Sequence, residues 1–317
     1  MITRQTMLRP SRRHMLALAA ASLAFAPHSV RAQASARADV LTSLPTGAFF
    51  ENLEPQADGS VLFTSYFSRQ ILRWSPSGVS VFAELGAHPV DLISIDGGFL
   101  VTAHGAPFTS GPSFTGTMAV LRLDSTGRTV GRVEAPQALF LNGIARLEGD
   151  QMLIADSLAG TIWAYGIAGG TLTPWNRADQ LKPVASPGEF ALGANGLQIS
   201  GGFVYVSNSS TKTLMRGRLS AGRTVEAFET LGTFTGIDDF AVAENGRIFI
   251  ATHGTTVILR EPDGRVAVVI DRDAEGATSV AFGRGPSAGF LFVTTTGGLF
   301  AGLKANANLL RVALPTG

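Results

Sequence analysis

The chain has no cysteine. That excludes disulfides, thiolate nucleophiles and cysteine-ligated zinc, and it leaves the compartment open because such a chain suits any redox environment. Charge is also scarce: Asp, Glu, Lys and Arg make up 15% of the 317 residues, with a formal net charge of +1. Residues 1–31 hold five arginines and no acid, so the remainder carries a net charge near −4. A mildly acidic body without a Lys/Arg cluster argues against nucleic acid as a partner. No nucleophile elbow, Walker loop or dinucleotide fingerprint is legible, and no Ser-His-Asp arrangement either. Of five histidines, His14 and His28 lie in the N-terminal stretch, leaving His88, His104 and His253 for the body. Glycine, by contrast, is plentiful, with 37 copies. Low charge, many glycines and short β-rich runs fit an all-β solenoid or propeller rather than a helical or disordered chain.

The N-terminus reads as an export signal. Ser11-Arg12-Arg13-His14-Met15-Leu16 leads into an apolar run from Met15 to Ala26, and Val30-Arg31-Ala32-Gln33-Ala34 supplies small residues for cleavage after Ala32 or Ala34. The run is too short for a bilayer anchor, which needs about 20 apolar residues. The paired arginines match a twin-arginine signal, with an ordinary secretory n-region as the alternative. Residues 1–34 are therefore expected to be cleaved, with a periplasmic or secreted product and no membrane anchor. Residues 35–317 are expected to form one domain.

Within that body a pattern repeats. Leu141-Asn142-Gly143-Ile144-Ala145 is echoed by Ala194-Asn195-Gly196-Leu197-Gln198, 53 residues later, and by Ile237-Asp238-Asp239-Phe240-Ala241, a further 43 residues on. An apolar strand follows each: Met152 to Ser157, Val204 to Ser209 and Ile248 to His253. Self-similarity at this period is the mark of radial repeats, and four-stranded propeller blades have this length. Six units can be laid out, beginning near Phe49, Pro89, Leu141, Gly193, Gly236 and Ala277. The prediction is an all-β, six-bladed β-propeller of four-stranded blades, with Leu41 to Leu44 supplying an outer strand to the last blade and closing the ring. The Gly/Pro/Ser-rich stretch 105–117 is a loop of functional length.

Register then selects candidate residues. From the opening polar residue to the first large apolar residue of the next strand the offsets are 11 for Glu51, 11 for Asn142, 9 for Asn195 and 10 for Asp238. Glu51, Asn142, Asn195 and Asp238 should thus face one central channel. Two carboxylates and two amides are hard oxygen donors, a set suited to one divalent cation, above all Ca²⁺. Strict strand alternation would let only one of Asp238 and Asp239 face the axis, and register favours Asp238. The bland alternative is that Asn-Gly pairs merely shape bends and that Asp at strand starts caps loose backbone N–H groups. Asp91 has that reading too. His104 and His253 end second strands and are either backbone-bonded or substrate contacts at the cavity rim; Asp156, Ser157 and Asn208 end equivalent strands.

Glu51, Leu-Asn-Gly at 141–143, Ala-Asn-Gly-Leu at 194–197, Asp-Asp-Phe at 238–240 and Thr-Ser-Val-Ala-Phe-Gly at 278–283 together resemble the gluconolactonase/regucalcin (senescence marker protein) family. The resemblance covers residues 45 to 300 and implies a six-bladed propeller with one channel metal, usually calcium. It implies that Glu51, Asn195 and Asp238 ligate the metal, with Asn142 at the same site as a ligand or through water and substrate, and that Asp238 is also the catalytic base. It further implies hydrolysis of lactones or related esters. One position departs from the pattern. Sugar-lactonase members often carry Arg two residues before the Asn of the third blade, where this chain has Phe140, so the substrate should be less polar than a sugar lactone. The leading expectation is an exported metal-dependent hydrolase acting on a small molecule. The alternative is a non-catalytic propeller that binds a small molecule or a protein.

Overall fold

Alternation of side chains across each strand explains why this sequence makes a ring of sheets rather than one layered core. In the second strand of every blade nearly all residues are buried, because both faces are covered by neighbouring blades. The computed structural model describes residues 37–186 and 188–314, so the expected export segment 1–34 lies outside the described residues. Strand β1 (Asp39–Leu44) comes first. Blade one follows as β2 (Phe50–Pro55), β3 (Val61–Ser65), β4 (Gln70–Ser75) and β5 (Gly78–Glu84). Blade two is β6 (His88–Ile95), β7 (Gly98–His104), β8 (Met118–Asp124) and β9 (Thr129–Glu134). Blade three is β10 (Leu141–Glu148), β11 (Gln151–Asp156), β12 (Thr161–Gly166) and β13 (Thr171–Asn176). Blade four is β14 (Ala194–Ser200), β15 (Phe203–Asn208), β16 (Thr213–Arg218) and β17 (Glu229–Thr233). Blade five is β18 (Phe240–Val242), β19 (Ile248–Ala251), β20 (Val257–Arg260) and β21 (Val266–Ile270). Blade six uses β22 (Ala277–Phe282), β23 (Phe290–Thr295) and β24 (Ala307–Ala313), and β1 pairs antiparallel with β24 as its outer strand. The predicted six four-stranded blades and the closure by residues 41–44 are therefore observed.

Each blade-to-blade interface has its own apolar cluster. Phe63 of β3 packs towards blade six, with Phe292 and Leu309, while its neighbour Leu62 packs towards blade two, with Leu92 and Val101. In β11, Met152 and Ile154 face blade two whereas Leu153 and Ala155 face blade four. A one-residue slip in either strand would exchange two complete interfaces, so the ring strongly fixes register.

Hydroxyls stitch the blades near the axis. Thr64 Oγ1 accepts from Asn52 N–H in its own blade at 2.9 Å and donates to the Val90 carbonyl of the next at 3.0 Å. Thr102 does the same between Asp91 N–H (3.1 Å) and the Asn142 carbonyl (2.8 Å), and Ser207 between Gly196 N–H (2.7 Å) and the Asp238 carbonyl (2.5 Å). Thr294 Oγ1 donates to the Glu51 carbonyl at 3.2 Å, which closes the ring from blade six to blade one. The channel-lining backbone is thus fixed by the blade before it.

Candidate active site at the channel mouth

The first strand of five blades breaks register where it reaches the axis. The ladder skips between Phe50 and Leu53, Pro89 and Leu92, Leu141 and Ile144, Ala194 and Leu197, and Ala277 and Ser279. Such a bulge suspends the strict alternation of side chains. In those five blades two successive residues therefore come to the axis, and in blade five Asp238 and Asp239 do so just before β18 begins. Glu51, Val90, Asn142, Asn195, Asp238 and Thr278 hold the first position, and Asn52, Asp91, Gly143, Gly196, Asp239 and Ser279 the second. The expectation that only one of Asp238 and Asp239 could face the axis is corrected by this geometry. Asp238 lies on the wall of a cavity at the mouth, while Asp239 Oδ2 accepts from Ser279 Oγ at 2.8 Å and from Asn52 Nδ2 at 3.4 Å, deeper in the ring.

The Asn-Gly pairs are not turns. Gly143 and Gly196 lie inside β10 and β14, and neither has positive φ. A Cβ on Gly196 would stand 2.3 Å from Asp239 Oδ1, and one on Gly143 would stand 2.6 Å from the Asn195 carbonyl oxygen. Crowding at the axis, not backbone conformation, requires glycine there.

The cavity has a volume of about 510 Å³. Its floor carries Glu51, Asn195 and Asp238, three of the four residues selected by register. Asn142 occupies the equivalent backbone position, but its side chain is buried and donates to Ser157 Oγ at 3.2 Å, and it does not line the cavity. Asn195 Nδ2 donates to Asp238 Oδ1 at 2.5 Å and to Ser209 Oγ at 2.8 Å. The other carboxylate oxygen, Asp238 Oδ2, lies 2.6 Å from His253 Nδ1. Burial pulls the His253 pKa down, but the Asp238 charge and hydrogen bond outweigh it and raise it above the ordinary histidine value. His253 also has φ of 55°, a left-handed conformation rare for a non-glycine residue and concentrated at functional sites.

Glu51 is the least satisfied group of the site. Its Oε2 is buried without any hydrogen-bond partner. Burial raises its pKa well above the ordinary carboxylate value, and the charges of Asp238, Asp239 and Asp91 raise it further. Asp239 is pushed up to about 7, chiefly by burial. Asp91 is raised by burial and by Asp239, although Leu92 N–H and Ile144 N–H bond its two oxygens at 2.7 and 2.6 Å. An orphaned carboxylate oxygen among further acids, with an amide beside it, is the donor chemistry that a hard cation satisfies. Among the described residues no three His, Cys, Asp or Glu side chains form a ready cage, so the set that fits a cation is Glu51 and Asp238 with the Asn195 amide.

His104 and Phe140 line the cavity, as does His253. His104 reaches it only as a ring edge, because both nitrogens are committed: Nε2 donates to the Leu141 carbonyl at 2.9 Å and Nδ1 accepts from Tyr66 OH at 3.0 Å. Burial drives its pKa down to about 3, so the ring is neutral. Asp156 is a loop anchor, accepting from the N–H groups of Leu139, Phe140 and Ala159 and from Trp163 Nε1. Asn208 pins the loop before β14 through the carbonyls of Gln180 and Lys182. The sequence reading missed the aromatic rim contributed by Phe108, Phe190 and Phe300, which comes from loops without periodicity.

A closed ring of six blades with acids and amides around one mouth defines a class, the six-bladed propellers with a channel site. Within it, residues 178–297 match the model of the SMP-30/gluconolactonase/LRE-like region, and the resemblance read from the sequence holds. No curated protein sequence matches the chain. Many solved structures share the fold. A luciferin-regenerating enzyme superposes with a TM-score of 0.67 at 15% identity, over 89% of this chain and 96% of that one. A putative gluconolactonase gives 0.64 at 17% identity, over 90% and 96%. A calcium-binding regucalcin from Agrobacterium tumefaciens gives 0.61 at 18% identity, over 88% and 95%. All three lie under 25% identity, and what they share with this chain is the fold.

Proposed function

We propose that this protein is an exported, divalent-cation-dependent hydrolase of lactones or related esters, with the cavity at the channel mouth as its active site. The observation that carries this reading is the floor of that cavity, where Glu51 with an unpartnered oxygen lies beside the Asp238–His253 pair. Glu51, Asp238 and the Asn195 amide would hold the cation, with Ca²⁺ the preferred ion for oxygen donors. A cation bound there supplies polarisation of the substrate carbonyl and neutralises the buried acids.

The chain's own groups handle the proton. With its Nδ1–H donated to Asp238 Oδ2, His253 has Nε2 left as an acceptor, and Asp238 holds the tautomer and stabilises the cationic ring. His253 Nε2 takes a proton from water as the water oxygen bonds to the carbonyl carbon. The ring or ester C–O bond then breaks, and Nε2 returns the proton to the departing oxygen, giving a hydroxy acid or an acid and an alcohol. In this reading His253, not Asp238 as the resemblance implied, is the base, and Asp238 is a positioning residue as well as a candidate ligand. Export rests on the Ser11-Arg12-Arg13 segment and the apolar run behind it. Hydrolysis of a lactone panel by cation-loaded protein, lost in Asp238→Ala, tests the reading. Full turnover in that variant, or none by the natural protein with any member and any of Ca²⁺, Mg²⁺ or Mn²⁺, sinks it.

A further inference from the structure

Among the described residues exposed aromatic side chains are rare. Of the large exposed apolar side chains there, two are phenylalanines, Phe190 at 58% and Phe300 at 51% exposure, and both line the same cavity. They arrive from separate loops. Phe190 follows blade three, in the stretch pinned by Asn208, and Phe300 lies in the short turn Leu299–Ala301 of blade six. Both rings meet Phe108 of the blade-two loop, at centroid distances of 6.3 and 5.6 Å.

Phe108 is the hub of a continuous wall. Its ring contacts Tyr66 at 5.2 Å, Phe49 at 6.1 Å and Phe140 at 6.5 Å. The hub is held from behind. Phe108 N–H donates to Tyr66 OH at 3.0 Å, Tyr66 OH donates to His104 Nδ1, and His104 Nε2–H is fixed on the Leu141 carbonyl. At its other end the wall reaches the chemistry, because Phe300 stacks on His253 with centroids 5.3 Å apart and planes 27° apart. One side of the cavity floor is therefore acidic and hydrogen-bonding, and the side adjoining it is aromatic.

We propose that Phe49, Tyr66, Phe108, Phe140, Phe190 and Phe300 form a subsite for an aryl or bulky alkyl substituent on the lactone or ester, with Phe190 and Phe300 as specificity-determining residues. This rests on the hydrolytic reading above and names its substrate class. Polar hydroxyls facing such a wall would be desolvated without partners, which costs binding, whereas an aryl group replaces water on ring faces already ordered. The fixed rings Tyr66, Phe108 and Phe140 shape the subsite. The two exposed rings lose water only when the substituent arrives, so their area contributes to selection.

Binding and turnover are measured in parallel on the cation-loaded mature protein. Calorimetry compares an unsubstituted six-membered lactam, a phenyl-substituted lactam and a polyhydroxylated lactam, and kinetics compares the matching lactones. The phenyl lactam is expected to bind at least about tenfold more tightly than the unsubstituted one. The Phe190→Ser/Phe300→Ser double variant should lose most of that ratio, and a Val130→Ser control on the outer strand should retain it. Both phenylalanines are exposed, so the double variant should fold. Equal affinity for the three lactams, preference for the polyhydroxylated one, or an unchanged ratio in the double variant overturns the subsite. Aryl preference in binding without hydrolysis of any lactone upholds the subsite and overturns the hydrolytic reading alone.

Discussion

Asp238 Oδ2 and His253 Nδ1 face each other across 2.6 Å, one just before the first strand of blade five and the other just beyond its second. His253 makes this contact from a left-handed backbone, a conformation that costs about 1–3 kcal/mol. If the ring accepts a proton from water, His253→Ala and His253→Asn should both lower turnover by about 10²- to 10⁴-fold. Asn tolerates the left-handed conformation, so an inactive Asn variant with a near-native Tm separates chemistry from backbone strain. Since Asp238 raises the His253 pKa above 6.5, the natural protein should lose the proposed activity as pH falls through that raised value. Full activity in the Asn variant would exclude the ring from proton transfer.

Glu51 gives a prediction with two opposite signs. Its folded pKa is raised above the ordinary 4.5, so its stabilising contribution is present below that value and is lost as pH rises through the raised one. In cation-free protein at pH 7 to 8, Glu51→Gln should therefore raise Tm, by about 2–4 °C for each kcal/mol relieved. Added Ca²⁺ should raise the Tm of the natural protein and leave that of the variant nearly unchanged. Thermal melts with and without chelator read both effects, and calcium stabilisation that survives in the variant removes Glu51 from the ligand set.

His104 makes the converse case at low pH. Its folded pKa is about 3 against an ordinary 6.5, so the unfolded chain binds the proton first as pH falls. The contribution is complete above pH 6.5 and is lost between 6.5 and 3, at about 1.4 kcal/mol per pH unit. His104→Gln lacks the titration. The stability difference between the two proteins, followed by urea melts from pH 8 to 4, should shrink on acidification; a constant difference would mean that His104 accepts the proton while folded.

Much of the architecture was legible because its cause is periodic. Polar openings such as Asn142 and Asn195 recur at one strand register, and alternating apolar strands such as Val61-Leu62-Phe63 must be covered on both faces, which a ring of blades does. Three of the four oxygen-bearing residues reached the cavity floor for the same reason. Asn142 did not, because a side chain at an equivalent backbone position can still choose a local partner, here Ser157. The second layer was hidden because alternation fails at the axis: Asp91 sits in a bulge, and Asp239 lies just before β18 begins. Phe190 and Phe300 were invisible because loop residues are positioned by anchors distant in sequence, such as Asn208 for the loop that carries Phe190.

Gly196 provides the sharpest test of that channel geometry. Read as half of an Asn-Gly turn, it should tolerate little but glycine for conformational reasons; yet its φ is not positive, and alanine fits its backbone. The obstacle is steric: the new Cβ would stand 2.3 Å from Asp239 Oδ1 and 2.9 Å from Asp239 Cα. Ser279 and Asn52 hold that carboxylate, and Asp239 N–H donates to the Thr278 carbonyl at 3.0 Å, so it cannot withdraw freely. Gly196→Ala should therefore cost about 1–3 kcal/mol. The comparison is Gly169→Ala, where the nearest atom to a Cβ is Thr171 Oγ1 at an ordinary 3.7 Å and φ is likewise not positive. That change should leave stability unaltered or slightly raised by reducing the entropy of the unfolded chain. The further change Asp239→Ala should partly rescue Gly196→Ala in a double-mutant cycle, because it deletes the atom in the way. Equal effects of the two glycine substitutions, or no coupling between 196 and 239, would refute a crowded axis.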